Sequence, residues 1–91
     1  MIWARRVDEN QADIVKAIRK LGAEVTPLFR VGQGVSDLLV SWRQKWFVIE
    51  CKTDTGELNK DQKDWIGKQR AAVVVVTSPM QAVQFLMDVK P

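Results

Sequence analysis

Residues 35–53, VSDLLVSWRQKWFVIECKT, hold two apolar runs divided by a short polar stretch, and both runs carry charge where a sheet interior is apolar. They read as strands over 36–42 and 46–52, with Asp37 on the first and Glu50 and Lys52 on the second. Two carboxylates and an ammonium beside Leu-Leu-Val and Phe-Val-Ile are costly to bury unless they pair or bind a metal. Strand alternation puts Val48, Glu50 and Lys52 on one face. Asp37 reaches that face in only one parity of the register, because a one-residue slip turns every side chain over. A two-residue turn at Gln44 and Lys45 satisfies this parity. It sets Asp37 opposite Lys52 and diagonal to Glu50, which is the expected arrangement.

The rest of the chain supplies elements around this hairpin. Residues 1–7 read as a short arm containing Trp3, Arg5 and Arg6. Asp8-Glu9-Asn10-Gln11 has the form of a capping box and opens a helix that runs to Leu21, with Gly22 as its stop. At about 100° per residue, Ile14, Val15, Ile18 and Leu21 form one stripe; Gln11 falls inside it and Glu9 nearly opposite. Residues 24–30 predict a strand, edge or broken at Pro27. The loop 30–34 has two glycines, which serve a tight turn or a close backbone approach. After the hairpin comes a polar loop over 54–58, then a helix over 59–69 that again opens like a capping box, with Gln62 three residues after Asn59. Ala71-Ala72-Val73-Val74-Val75-Val76-Thr77 predicts a strand covered on both faces. Ser78-Pro79 opens a last helix, with Val83, Leu86 and Met87 inward. Trp46 and Trp65 are expected in the core, with stacking on bases as the alternative. The order is α-β-β-β-α-β-α, a small mixed α/β sandwich in one domain over residues 1–91.

Composition removes whole classes of chemistry. The chain has no histidine, which excludes Ser-His-Asp and Cys-His nucleophilic sites and His-containing zinc sites. What remains is carboxylate, lysine, amide and backbone, donors suited to a hard, oxygen-liganded cation. One cysteine, Cys51, gives no internal disulfide framework, and no apolar run is long enough to span a membrane. The expected setting is reducing and intracellular. A net charge of +3 permits phosphate contacts. Arg5, Arg6, Arg30, Lys60 and Lys63 are the candidates for nucleic-acid contact, with solvated surface charge as the alternative for each.

Asp37, twelve intervening residues and then Glu50-x-Lys52 form the chemical motif. Two converging carboxylates, with the carbonyl of Cys51 beside them, suit Mg²⁺, and Lys52 on the same face stands near a scissile phosphate. The alternative is a structural ion pair in which Lys52 neutralises a carboxylate and nothing binds.

These residues, together with DENQADIVKAIRKLG, GQGVSDLLV, FVIECK, GELNKDQKDW and VVVVTSPMQAVQFL, resemble the PD-(D/E)xK nuclease superfamily. The resemblance is to its virus-type replication-repair (VRR-NUC) branch, typified by phage-encoded stand-alone domains. It implies a restriction-endonuclease-like fold and a Mg²⁺- or Mn²⁺-dependent endonuclease on DNA, with no small-molecule cofactor. Asp37, Glu50 and Cys51 are then the metal-binding residues, Lys52 the catalytic lysine, and Gln62 and Gln11 further site residues. Both glutamines also stand at helix positions where a capping box accounts for them without a site. Ser36 replaces the family's proline, and Gln11 replaces a helix glutamate that is a better ligand. The resemblance further implies a homodimer acting on Holliday junctions or other branched DNA. A flap or nicking nuclease and a non-cleaving DNA-binding module are the rivals.

Overall fold

The computed structural model describes residues 7–53 and 57–91, so the expected arm with Arg5 and Arg6, and part of the loop 54–58, lie outside the described residues. The elements follow the expected order: α1 (Val7–Leu21), β1 (Glu24–Pro27), β2 (Leu38–Trp42), β3 (Lys45–Cys51), α2 (Lys60–Lys68), β4 (Val73–Val76) and α3 (Pro79–Asp88). Helix α1 begins one residue before Asp8, which therefore stands inside it rather than ahead of it as a cap.

The hairpin forms with a register two residues away from the expected one. Leu38 pairs with Ile49, and the pairing closes at Trp42 with Lys45. The turn is Arg43-Gln44, not Gln44-Lys45. Extending the register by one step sets Asp37 opposite Glu50 instead of Lys52. The parity is unchanged, so Asp37 and Glu50 still share a face. Arg43 and Gln44 have φ of 50° and 66°, the left-handed pair that a type I′ turn demands. Neither is Gly or Asn, so the sequence carries no turn signal there. Arg43 offsets the strain: its guanidinium lies 5.0 Å over the Trp42 ring and donates to the carbonyls of Met87 and Val89. Gln44→Gly, which relieves a left-handed side chain, is expected to raise stability by about 0.5–1 kcal/mol, read as a higher urea midpoint at unchanged slope.

The four strands lie in the order β1-β2-β3-β4, with β1 antiparallel to β2 and β4 parallel to β3. Strand β1 stops at Pro27, short of the expected Arg30, and the next residue's N–H turns to the Asp37 carbonyl at 2.7 Å. Strand β4 is shorter than expected and forms a sheet edge. Val75 is 42% exposed, so β4 is not covered on both faces.

Helices α1 and α3 cover one face of the sheet. Ile14, Val15 and Ile18 of α1 and Ala82 and Leu86 of α3 pack against Val25, Leu38, Val40, Ile49, Cys51 and Val76. Each fully enclosed Ile or Leu contributes about 1.5–3 kcal/mol of burial. The Trp42 indole N–H ties β2 to the Leu86 carbonyl at 2.7 Å, and Phe47 meets Phe85 edge-on at 5.1 Å.

Two expected core residues are outside. Met87 is 53% exposed because Ala82 and Leu86 take the inward positions of α3, and the next residue points about 100° away. Trp46 is 71% exposed because it alternates with Phe47 and so projects from the opposite sheet face. Trp65 is half-buried on α2, a helix with no fully buried residue. Glu50 also projects from the face opposite α1 and α3. Among the described residues no helix is long and apolar enough to cross a membrane.

Candidate active site

Asp37 lies one residue before β2, where three strand ends meet. Its carbonyl accepts the Leu28 N–H at 2.7 Å, and its carboxylate Oδ2 accepts the Cys51 N–H at 2.7 Å. The side chain thus takes the place of a ladder partner just past the paired region. That fixes a carboxylate against the end of β3.

Glu50 is completely buried. Its Oε2 accepts from Gln62 Nε2 at 3.3 Å and lies 3.9 Å from Lys52 Nζ. Its Oε1 is enclosed with no hydrogen-bond partner. Burial pushes the Glu50 carboxyl up to about 8. A hydrogen bond and charge repulsion from Asp37 add to the rise, while Lys52 and then Ser36 oppose it. Ser36 is also fully buried. Its hydroxyl is near enough to favour the ionised Glu50, yet outside hydrogen-bonding geometry, and has no partner. Glu50 Oε1 and the Ser36 hydroxyl are thus both enclosed beside Asp37, which can meet Glu50 only when one of the two carboxyls carries a proton.

Lys52 is 7% exposed. Its Nζ donates to Gln62 Oε1 at 2.5 Å, and its backbone N–H donates to the Val76 carbonyl at 2.9 Å. Gln62 answers both readings of its position. Its backbone N–H donates to Asn59 Oδ1 at 2.9 Å, and its Oε1 accepts the Asn59 N–H at 3.0 Å, closing the capping box. The same amide reaches Lys52 and Glu50, so capping and site contact occur in one conformer.

The glycine loop presses on the start of this helix. A Cβ on Gly34, whose φ is +80°, would stand 2.2 Å from the Asp61 carbonyl oxygen. Gly32 faces open space at φ +72°. The close approach belongs to Gly34, and the simple turn to Gly32.

Asp37, Glu50, Cys51, Lys52 and Gln62 are thus brought together. The Cys51 thiol is turned into the core and pushed up to about 12 by burial and by the neighbouring carboxylates, so only its carbonyl is a candidate ligand. Gln11 is half-buried and lines a separate groove with Val15, Pro27 and Phe29. The α1 residue that does reach the site's backbone is Asn10. It is 5% exposed, and its Nδ2 donates to the Lys52 carbonyl at 2.5 Å and the Thr77 carbonyl at 3.0 Å. Its spacing from Ile14 and Ile18, four and eight residues, was the available signal. Among the charged candidates, Arg30 lies over the Phe29 ring, Lys60 pairs with Asp64 at 3.3 Å, and Lys63 is exposed on α2.

Among the described residues no three His, Cys, Asp or Glu side chains group as metal ligands. A cation here would take two carboxylates and a carbonyl, with water completing its shell. That donor set suits Mg²⁺ or Mn²⁺, and the unpartnered Glu50 oxygen is an acceptor open to such an ion. Compared with known proteins, the chain matches no family model, no curated protein and no solved structure.

Proposed function

We propose that this chain is a divalent-metal-dependent DNA endonuclease of the PD-(D/E)xK type, in its virus-type replication-repair branch, with a restriction-endonuclease-like fold. One observation carries the reading: a fully buried Glu50 beside Asp37, with one oxygen unpartnered and its pKa raised rather than lowered. A structural ion pair has the opposite signature. Lys52 would then hold Glu50 below the usual carboxylate range, whereas it stands 3.9 Å away and donates to Gln62. These features favour a cation-binding pair over a structural ion pair.

Asp37, Glu50 and the Cys51 carbonyl would hold Mg²⁺ or Mn²⁺. When bound, such an ion supplies charge neutralisation at a phosphate and a more acidic water. Asp37 is held for this by the Cys51 N–H. Lys52 presents its ammonium beside the carboxylates, where it orients the attacking water and stabilises charge developing on the phosphate oxygens. Gln62 fixes the direction of that ammonium and joins it to Glu50. Ser36, in place of proline, brings a hydroxyl that can donate within the site.

The substrate in this reading is branched DNA, Holliday junctions included, cut by a homodimer with two centres. Exposed Trp46 and Val75, on the sheet face that α1 and α3 leave free, support self-association. The test is purified protein with Mg²⁺ on junction, flap and linear duplexes. Paired symmetric cuts in junctions are expected, and Lys52→Ala is expected to lower the rate by at least about 100-fold while Mn²⁺ still binds. Cleavage confined to flaps moves the substrate. Salt-sensitive DNA binding without any metal-dependent cleavage makes the chain a binding module instead.

A further inference from the structure

A second concave surface lies between α1 and the segment that follows β1. It has a volume of about 660 Å³ and is lined by Gln11, Val15, Lys16, Arg19, Pro27 and Phe29. Its position along α1 follows from helix geometry: residues 11, 15 and 19 recur at one-turn spacing, so a single face of α1 forms one wall. Among the described lining residues the base is apolar, the rim is cationic and none is a carboxylate. Neither Lys16 nor Arg19 is in an ion pair among the described residues; Arg19 donates to the Val25 carbonyl at 3.1 Å.

Phe29 is 65% exposed, and the Arg30 guanidinium lies 5.6 Å from its ring centroid. An aromatic ring in water, beside cations and with a guanidinium over it, has the form of a stacking platform for a base. Both walls are tied to the candidate active site. The Leu28 N–H, one residue before Phe29, donates to the Asp37 carbonyl. Asn10, one residue before Gln11, donates to the Lys52 carbonyl. The groove therefore opens at the end of the sheet that carries the carboxylates.

We propose that this groove is a subsite for single-stranded nucleic acid, with a base stacked on Phe29 and adjacent phosphates on Lys16 and Arg19. Charge complementarity selects this occupant: a purely apolar partner leaves the two cations unanswered, and an acidic peptide leaves the ring without its planar counterpart. The proposal rests on the nuclease reading for its purpose, since the groove and the carboxylates lie at the same end of the sheet, though on opposite faces. It rests on the groove itself for its chemistry.

The experiment measures binding of a short oligothymidylate carrying 2-aminopurine, in EDTA so that nothing is cut, with junction cleavage in Mg²⁺ measured separately. Phe29→Ala is expected to weaken binding roughly 5- to 100-fold and to remove the quenching of the probe. Lys16→Ala is expected to reduce the slope of log affinity against log salt by about 0.7. Both side chains are exposed, and unchanged thermal unfolding verifies that each variant is folded. Wild-type affinity and slope in both variants overturn the subsite, as does a Phe29→Ala effect confined to oligomeric state, which makes the groove a self-association surface. If the groove variants bind normally while wild type cuts, the subsite falls and the nuclease reading stands. If nothing is cut but Phe29-dependent binding remains, the subsite stands and the nuclease reading falls.

Discussion

Glu50→Gln is expected to stabilise the metal-free protein at alkaline pH while removing metal-dependent cleavage. The Glu50 carboxyl is raised from 4.5 to about 8, first by burial and then by Asp37, so the folded protein holds this proton more tightly than the unfolded chain. The resulting stability is complete below about 4.5 and is lost as pH rises through about 8. Metal-free wild type should therefore unfold more easily at about pH 9 than at about pH 5, by on the order of 2–4 kcal/mol. Glutamine has the shape of the protonated acid and no charge to bury, so the variant should lose most of this pH dependence. The same change takes away a ligand, and Mg²⁺-dependent cleavage should drop by at least about 100-fold. Thermal unfolding across pH, with EDTA, reads the first effect and the junction assay the second. A variant less stable than wild type at alkaline pH would mean that Glu50 is paired in the fold rather than waiting for a cation.

The second large effect comes from a residue with no functional group. A methyl on Gly34 would meet the Asp61 carbonyl at 2.2 Å, far inside contact distance, and the obstacle is backbone. Helix α2 has no buried residue to hold it against that push. Gly34→Ala should therefore displace the start of α2 and carry Gln62 away from Lys52 and Glu50. A displacement of about 1 Å at a catalytic group costs on the order of 100-fold in rate, so cleavage should fall by that much. The core under α1 and α3 is remote from this contact, and the lost stability should stay near 1–3 kcal/mol. Gly32→Ala is the control. It also has positive φ but meets nothing within 4 Å, so it should cost about 1 kcal/mol and leave the rate unchanged. Equal rate losses in the two variants would remove the argument that Gly34 positions α2.

The hairpin indicates what could be read in the sequence and what could not. Same-face parity was legible because a buried face specifies register modulo two. The register itself was not, because the turn falls on Arg43 and Gln44, residues with no intrinsic left-handed preference. Their conformation depends on the neighbouring Trp42 ring and on carbonyls at the end of α3, which are far away in the chain. The choice of Gln11 over Glu9 passed over Asn10 for a similar reason. With Ile14 and Ile18 fully buried and Val15 only at the margin, the stripe passes between the two positions, and the ends of β3 and β4 select Asn10. Trp46 and Val75 were misplaced because pattern reveals which residues share a face, not whether anything covers that face. Gln62 entered the site only through the resemblance, with its cap as the alternative, and its link to Lys52 became visible only once α2 was seen beside the end of β3.

The central claim is that Asp37 and Glu50 together hold a divalent cation. Calorimetric titration of the metal-free protein with Mn²⁺ near pH 7, repeated in buffers of different ionisation enthalpy, tests it most directly. Glu50 carries its proton over much of the population at that pH and must release it to bind, so the expected result is one ion per chain with proton release. Both should disappear in Asp37→Asn and Glu50→Gln. Absence of binding, or binding that survives both substitutions, would contradict the account.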